Sequence, residues 1–443
     1  MSSVTTTAEP DDASPDVLTA EDAEILALEA DNVVGHTCKV VVLQRADFQQ
    51  TISTADVRKH VAARAVRVPR LAQRLGRDVQ GRPAWIADRT FDIANHIGRV
   101  ADEGPLRPDD IPSVVGSLMA RPLPRDRPLW RLDVIERVDD DTSVLVWRLH
   151  HALADGYTAM RLADAVLWDN GPQSAESTTH LDRTRPVRRA RAHPVRWWKS
   201  LTATARLYAR IPGAVRRELV THHTSTVFDV APSHARSVAF VVIPLDALER
   251  VAKANRTHVT INDVLLAVIT GAMRTWLRQR GAPLRGIRAK IPVSLHSSEA
   301  HADEVANRDS YFFLDLPLGE PDAVQRLLKV SRATRDRKRH RDAETIYRMP
   351  FSRRAAHWAR SRRVFTFNVS NVRGPTRRLS VMNTPVRALH SIAEIGAHHA
   401  IRFAALSSSG QMSISICADS ADITDIGALQ DAMYGAVQEL VAS

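Results

Sequence analysis

The chain has 443 residues, 44% of them hydrophobic, which is enough for two or three domains with a sizeable core. It contains no run of about 18 apolar residues and begins with acidic rather than basic residues, so we expect neither a membrane-spanning helix nor a signal peptide. Its two cysteines, Cys38 and Cys417, exclude a disulfide framework and favour a reducing, cytoplasmic location.

Positive charge is concentrated in one segment. Lys and Arg number 61 against 50 Asp and Glu, a net charge of +11. Residues 183–217 contain ten Arg, one Lys and no acid, so this segment alone carries the whole excess. Such a segment attracts an anionic lipid surface, the phosphates of a cofactor or a nucleic acid. We do not expect the segment to bind nucleic acid, because it shows no recognisable nucleic-acid-binding fold and has few aromatic residues for base stacking.

The first half of the chain alternates helix and strand signals after a polar tail rich in Asp, Ser and Pro, which we expect to be disordered. The predicted elements are a helix-like segment at 18–29, a strand at 38–44, helices at 54–65 and 109–120, a pair of strands at 134–138 and 143–149, and a helix at 157–168.

The second half follows a linker rich in Pro, Ser, Thr and Arg at 170–195 and a basic helix that extends from there to about residue 220. Its predicted strands lie at 237–243, 288–294, 364–369 and 412–417, and its helices at 261–280 and 426–442. We therefore predict two α/β halves. The predicted divisions are a disordered tail at 1–17, an N-terminal half at 18–170, a basic linker and amphipathic helix at 171–225, and a C-terminal half at 226–443.

Residues 149–160, LHHALADGYTAM, begin at the end of a predicted strand. A strand end is a common place for a reacting group, because the sheet fixes the side chain while the loop leaves it accessible. Neutral imidazole is the most available general base near pH 7, so His150 and His151 are candidate catalytic residues. Asp155 suits a helix N-cap or a buried ion pair, and Gly156 suits a tight turn into the following helix.

The stretch HHALADG resembles the HHxxxDG signature of coenzyme A-dependent acyltransferases, which peptide-synthetase condensation domains share. Other stretches narrow the resemblance to the bacterial wax ester synthase/diacylglycerol acyltransferase family. They are LTAEDAEILALE (18–29), GRPAWIADRTFDIANHI (81–97), RPLPRDRPLW (121–130), TINDVLLAVITGAMRTWL (260–277), IPVSLH (291–296) and VSNVRGP (369–375). Together they extend the resemblance over about residues 18–440.

This resemblance implies an α/β fold of mixed sheets, chloramphenicol-acetyltransferase-like, with an active-site channel between the two halves. It implies transfer of a fatty acyl group from coenzyme A, a co-substrate, to a diacylglycerol or a long-chain alcohol, without cofactor, metal or acyl-enzyme. His151 would be the general base, His150 its neighbour and Asn262 the candidate oxyanion donor. The alternative for Asn262 is ordinary capping of the helix that it helps to begin. The structural members of the two motifs would be Asp155, Gly156 and Asp263.

Several features lie outside those motifs. Residues 128–130 are expected to pack the N-terminal half, and residues 370–371 to lie near the domain junction. The pair His398–His399 lacks the Asp-Gly and is expected to be incidental. The family usually has Pro where this chain has Arg373, and Arg where it has His296. These departures bear on the choice of acceptor.

Water-insoluble acceptors imply contact with a lipid surface. The segment 196–219, RWWKSLTATARLYARIPGAVRREL, has Trp197 and Trp198 beside basic residues, a pattern typical of a peripheral membrane helix. We therefore expect association with the inner membrane or lipid droplets; the alternative is a strap between the two domains. Two other functions remain open: an HHxxxDG enzyme of polyketide or peptide type that uses a carrier-protein thioester, and a lipid-surface binding protein with weak catalysis.

Overall fold

The computed structural model describes residues 16–27, 29, 32–45, 51–100, 104–139, 141–169, 211–216, 218, 226–255, 258–294, 309–340, 343–345 and 363–443. Within these ranges the chain has a mixed α/β fold, which confirms the predicted class. The helices used below are α1 (Ala20–Ala27), α2 (Thr54–Ala65), α3 (Ile111–Met119), α4 (Gly156–Val166), α5 (Leu245–Ala254), α6 (Ile261–Gln279), α7 (Ala323–His340) and α8 (Ile426–Ala442).

The strands are β1 (Asp16–Val17), β2 (His36–Gln44), β3 (Gln73–Arg77), β4 (Pro83–Ala87), β5 (Ile97–Arg99), β6 (Trp130–Ile135), β7 (Thr142–His150), β8 (Arg236–Pro244), β9 (Arg288–Ser294), β10 (Asp309–Asp315), β11 (Phe367–Arg373), β12 (Ser380–Val381), β13 (Thr384–Ala393), β14 (Ile401–Ser408) and β15 (Gln411–Asp419). They form a three-stranded sheet, β1-β4-β3, and two six-stranded sheets. The predicted hairpin of 134–138 and 143–149 is confirmed, because β6 and β7 pair antiparallel.

The first six-stranded sheet, in the order β12-β13-β2-β7-β6-β5, carries the histidine motif. β7 is buried along its whole length because its two faces pack against different apolar clusters. Leu145 belongs to one cluster and Val146 to the other, the period-2 alternation of a strand covered on both sides. β2 pairs antiparallel with β7 and places His36 opposite His150. A buried central strand of this kind gives the histidines a rigid base.

The second six-stranded sheet, in the order β10-β9-β11-β14-β15-β8, supports α6. β11 runs parallel to both β9 and β14. The stretch from Asp263 to Met273 of α6 is buried throughout, because LLAVITGAM is apolar on every side of the helix. α6 packs against α7 and α8 on this sheet. The start of α6, where Asn262 lies, is therefore fixed by a large core.

Two strands of the C-terminal half belong to the sheet of the N-terminal half. β12 and β13 come from the predicted C-terminal half, 226–443, yet β13 pairs with β2 in the N-terminal sheet, with His390 opposite Val40. Asp169 anchors the hairpin, since its two carboxylate oxygens accept the N–H groups of Met382 and Asn383 at 2.8 Å each. The division at 170 and 226 therefore does not separate the sheets, because an antiparallel partner can come from anywhere in the chain.

The ends of the predicted divisions differ from the structure in one further place. Residues 16–17, assigned to the disordered tail, form β1 and pair with β4. Most of the predicted linker at 171–225 lies outside the described residues, as do Trp197, Trp198 and His296. Among the described helices, none combines the length and the apolar character needed to cross a membrane.

Candidate active site

His151 is the first residue beyond β7 and opens the loop that leads to α4. Its backbone N–H donates to the carbonyl oxygen of Gly35 at 2.9 Å. Gly35 has φ +64°, and a Cβ there would lie 2.9 Å from His150 Nε2. Only glycine combines this backbone conformation with such a close approach. The loop is thus held against the segment that precedes β2.

The His150 ring uses both of its nitrogen atoms. Nδ1 accepts the backbone N–H of Ala152 at 3.0 Å, so it carries no proton, and Nε2 donates to the carboxylate of Glu29. The other oxygen of Glu29 pairs with Arg125. Burial and then the positive charge of Arg125 lower the pKa of His150 to about 4. His150 is therefore a neutral ring fixed in one tautomer.

The His151 ring is in the opposite situation. It is half-buried, and neither of its nitrogen atoms is hydrogen-bonded to another described residue. Burial, and then the charge of Arg402, hold its pKa well below the ordinary imidazole range, while Asp155 acts in the opposite direction. The ring is neutral at pH 7 with a lone pair available. Such a group can accept a proton from a bound alcohol.

Asp155 and Gly156 shape the start of α4. Asp155 is its N-cap, because the side chain accepts the N–H of Thr158 at 2.6 Å, which confirms the predicted cap. Its charge also acts on buried Lys39, whose pKa burial lowers to about 8 and the Asp155 carboxylate partly restores. Gly156 is the first residue of α4, and its φ is not positive, so its position does not depend on the left-handed backbone that favours glycine. The glycine instead allows a close approach, because a Cβ would lie 3.1 Å from Cγ2 of Val372.

The second motif begins α6 with a capping box. Thr260 is the N-cap, and its backbone N–H donates to the carboxylate of Asp263 at 2.9 Å. The other oxygen of Asp263 accepts the hydroxyl of Thr334 at 2.6 Å, so both oxygens serve the structure. The capping alternative for Asn262 is wrong, because Thr260 occupies that position. Asn262 instead accepts a long hydrogen bond, 3.5 Å, from Nδ2 of Asn371 on β11.

β11 brings the two motifs together. Val372 packs on Gly156, at the end of the histidine loop (residues 150–156). The preceding residue, Asn371, contacts Asn262 on α6. The predicted position near the domain junction is therefore confirmed for Asn371. Residues 128–130 also act as predicted: the Leu129 carbonyl accepts the N–H of His150 at 3.0 Å, and buried Trp130 donates to a backbone carbonyl.

Several residues around the site were not predicted from the sequence, and they are Glu29, Gly35, Lys39, Arg125, Asn371 as a partner of Asn262, and Arg402. Glu29 and Arg125 lie within stretches that carried the family resemblance, which was the available signal. The second histidine pair, His398–His399, lies outside the histidine motif. Its buried member, His399, stacks on Phe365 with ring centres 4.2 Å apart. That stacking favours the predicted incidental role.

Comparisons with known proteins agree with this geometry. The family model of the wax ester synthase/diacylglycerol acyltransferase catalytic domain matches residues 18–265, and that of the corresponding C-terminal domain matches residues 305–441. Tgs1 of Mycobacterium tuberculosis H37Rv, which carries the name of a diacylglycerol O-acyltransferase, is 32% identical over 388 residues, 82% of this chain and 82% of its own length.

Solved structures share the fold. A wax ester synthase/diacylglycerol acyltransferase from Marinobacter aquaeolei VT8 superposes with a TM-score of 0.70 at 21% identity, covering 96% of this chain and 98% of that one. The first condensation domain of the CDA synthetase superposes with a TM-score of 0.61 at 15% identity, covering 97% of each chain. The predicted coenzyme A-dependent acyltransferase fold is thereby confirmed, and at these identities the structural likeness concerns the fold alone.

Proposed function

Because this chain belongs to the wax ester synthase/diacylglycerol acyltransferase family, we propose that it transfers a fatty acyl group from coenzyme A to the hydroxyl of a diacylglycerol, and to long-chain alcohols as second acceptors. The observation that carries the proposal is the contrast within the histidine pair. The His150 ring is hydrogen-bonded on both sides, whereas His151 keeps a neutral, unengaged ring at the strand end.

In the proposed reaction His151 removes the proton of the acceptor alcohol while its oxygen attacks the thioester carbonyl. A tetrahedral oxyanion forms, the carbon–sulfur bond then breaks, and the imidazolium returns the proton to the departing thiolate. The products are an ester and free coenzyme A, and no bond to the protein forms. General base catalysis of this kind is worth about 10²–10⁴-fold in rate.

Asn262 is the proposed donor to the oxyanion. Its Oδ1 already accepts from Asn371, so the amide is oriented with its NH₂ group free to donate. A single donor of this kind is worth about 10²–10³-fold in the rate of acyl transfer. Asn371 would act through Asn262 by fixing that orientation.

We also propose that the enzyme works at a lipid surface, because its acceptors and products are insoluble in water. The segment 196–219 combines tryptophan with Arg and Lys, and each basic residue near an anionic surface is worth about 1 kcal/mol. Wild type should float with anionic liposomes at low salt and less at high salt. Replacing Trp197 and Trp198 by Ala and reversing the charge of Arg196 and Lys199 should reduce flotation. Equal flotation of wild type and this quadruple variant at every salt concentration would show that the segment does not anchor the protein to lipid.

The experiment that tests the function is an assay of the purified full-length protein with several acyl-coenzyme A thioesters. The acceptors are a diacylglycerol and hexadecanol, and ester and free thiol are measured together. We expect equal amounts of both products, and thiol release by His151→Gln that is slower by about 10²–10⁴-fold. Ester formation only from a carrier-protein thioester would support the peptide-type alternative. Lipid binding with no turnover on any thioester would support the binding protein.

A further inference from the structure

Two hydrogen bonds at the start of α6 fix the elements that pass beside it. The carboxylate of Asp263 accepts the hydroxyl of Thr334 on α7 at 2.6 Å. The neighbouring residue, Asn262, accepts the side-chain amide of Asn371 on β11 at 3.5 Å. One helix and one strand therefore meet the first turn of α6 from two sides.

The last turn of α7 extends past the start of α6. The two helices run antiparallel, because Thr334 lies at the start of α6, whereas the earlier residue Arg326 lies beside Gly271 in its middle. A Cβ on Gly271 would be 3.0 Å from Nη2 of Arg326. Lys338 lies one turn, about 6 Å, beyond Thr334 on the same face of α7. Thr334 is buried and Lys338 is exposed, since α6 begins only at Ile261.

β11 also continues past the start of α6. Its first residue, Phe367, packs on Phe228 with ring centres 6.3 Å apart, and Phe228 packs at 5.6 Å on Trp276, near the end of α6. Asn371 contacts the opposite end of that helix, so strand and helix run in opposite directions. Arg373, the last residue of β11, lies about 7 Å beyond Asn371 on the same face of the strand, because side chains alternate.

We propose that Lys338 and Arg373, the basic rim, hold the phosphate groups of coenzyme A while the thioester lies at Asn262. The proposal rests on the proposed function and deepens it. The long pantetheine arm separates the thioester from the diphosphate and the 3′-phosphate, so cations that lie beyond the reacting groups are suited to them. Arg forms paired hydrogen bonds with phosphate, and Lys binds it as a point charge.

Both cations of the basic rim are available to a ligand. Each side chain is exposed, and neither has a hydrogen bond or ion pair with another residue in the part of the chain that the structure describes. Two other basic residues of the last turn of α7 are engaged. Nε of Arg337 lies 3.2 Å from the carboxylate of Glu218. The ring of His340 meets the backbone carbonyl of Asp336 at 2.7 Å. The contacts of that helix end therefore do not use the rim.

Neighbouring acids leave the charge of the rim in place. Asp263 uses one oxygen for the N–H of Thr260 and the other for the hydroxyl of Thr334. Asp336 lies two residues after Thr334, about 200° around the helix, and so on the opposite side of α7. Residues 367–378, which include the end of β11, contain no Asp or Glu. Positive charge therefore predominates just beyond the start of α6.

The test compares two thioesters of one acyl chain, with hexadecanol as acceptor and the full-length enzyme. The first is the acyl-coenzyme A, and the second is the N-acetylcysteamine thioester, which lacks the phosphates. Lys338→Gln and Arg373→Gln should each raise KM for the acyl-coenzyme A about fivefold, and the double variant about 25-fold. KM for the N-acetylcysteamine thioester should not change. Arg373→Lys keeps the charge and should stay near wild type. High salt should raise the wild-type KM for the acyl-coenzyme A alone.

The control is Arg332→Gln, which removes an exposed positive charge from the same helix, on the side opposite Thr334, and should leave both KM values in place. A wild-type KM for acyl-coenzyme A in the double variant would overturn the proposal. Equal rises for the two thioesters would overturn it as well, since they indicate a merely structural role. Weaker flotation of the double variant with anionic liposomes, at an unchanged KM for acyl-coenzyme A, would assign the rim to lipid headgroups instead.

Failure of this inference is distinguishable from failure of the proposed function. Calorimetric titration with free coenzyme A needs no turnover, and the double variant should bind it at least tenfold more weakly than wild type. Ester formation together with wild-type affinity for coenzyme A in the double variant removes only the rim. Weakened binding of coenzyme A without turnover of any thioester by wild type removes the acyl transfer and keeps the rim. If the double variant does not fold, the two single variants decide the same question.

Discussion

The histidine loop (residues 150–156) and the α6–β11 junction (Asn262 and Asn371) are held with very different tightness. In the loop, the backbone N–H groups of His150, His151 and Ala152 all find acceptors at 2.9–3.0 Å. Across the junction, a single side-chain hydrogen bond of 3.5 Å joins a half-buried Asn262 to an exposed Asn371. A hydrogen bond of that length is weak.

This difference teaches how the work of the site is divided. The tightly held side fixes the backbone from which the proton acceptor projects, which helps to position a general base. Across the junction, α6 and β11 are each fixed by their own packing and pairing, so only the relative orientation of the two amides depends on that one hydrogen bond.

Of the substitutions on the two sides of the site, removal of the general base should lower the rate of acyl transfer most. His151→Gln should lower the rate of acyl transfer by about 10²–10⁴-fold, because no other described group takes over the proton. The melting temperature should stay near wild type, since the His151 ring makes no hydrogen bond with a described residue. Thiol release and thermal melting measure the two effects. A folded variant with more than half the wild-type rate would contradict the assignment.

The junction should show a graded loss. Asn262→Ala should lower kcat by about 10²–10³-fold through the missing oxyanion donor. Asn371→Ala should cost less, because it only releases the orientation of that donor. Steady-state kinetics of the double variant sharpen the comparison. If Asn371 acts through Asn262, the double variant should be no slower than Asn262→Ala alone. Losses that multiply would show that Asn371 acts independently.

Asp155 should affect stability before it affects chemistry. Asp155→Ala removes the N-cap of α4 and should cost about 0.5–2 kcal/mol in the free energy of unfolding. Asp155→Asn keeps a capping oxygen and should cost less at pH 7, with the lost carboxylate charge as its main defect. Chemical denaturation of both variants measures the difference. Wild-type stability combined with loss of activity in both would point to a direct role in the reaction.

Glu29→Gln should have the smallest effect. The amide oxygen can still accept the Nε2–H of His150, and only the charge facing Arg125 is lost. The pair with Arg125 is partly exposed, so its loss should change the free energy of unfolding by about 0–1 kcal/mol. Glu29→Ala, which leaves Nε2–H of buried His150 without an acceptor, should be clearly more damaging. Equal rates and melting temperatures for the two variants would show that His150 does not need Glu29.

Local signals predicted much of the fold. The helix predicted at 54–65 has the bounds of α2, because Ser53 caps it through the N–H of Asp56. The strand predicted at 288–294 has the bounds of β9, and the helix at 426–442 those of α8. β11 begins three residues later than its predicted strand, at Phe367. Of these elements, α2 has its start marked locally by a side-chain cap.

What the sequence did not predict depends on distant partners. β13 is half exposed and half buried along its length, and its partner β2 lies some 350 residues earlier in the chain, so TPVRALHSIA has no clear period. α7 was absent from the predicted elements because its buried stripe is narrow within a strongly charged segment. Glu29 reaches His150 through a contact between separate elements, which no local pattern encodes.

The central claim is that one imidazole of the pair is engaged and its neighbour is free. Proton and nitrogen NMR of the histidine side chains tests it most directly, with signals assigned by their loss in His150→Gln and His151→Gln. We expect His150 as a neutral ring with its proton on Nε2, and His151 as a neutral ring at pH 7 that protonates only well below pH 6.5. A protonated His151 at pH 7, or a His150 ring with its proton on Nδ1, would contradict the claim.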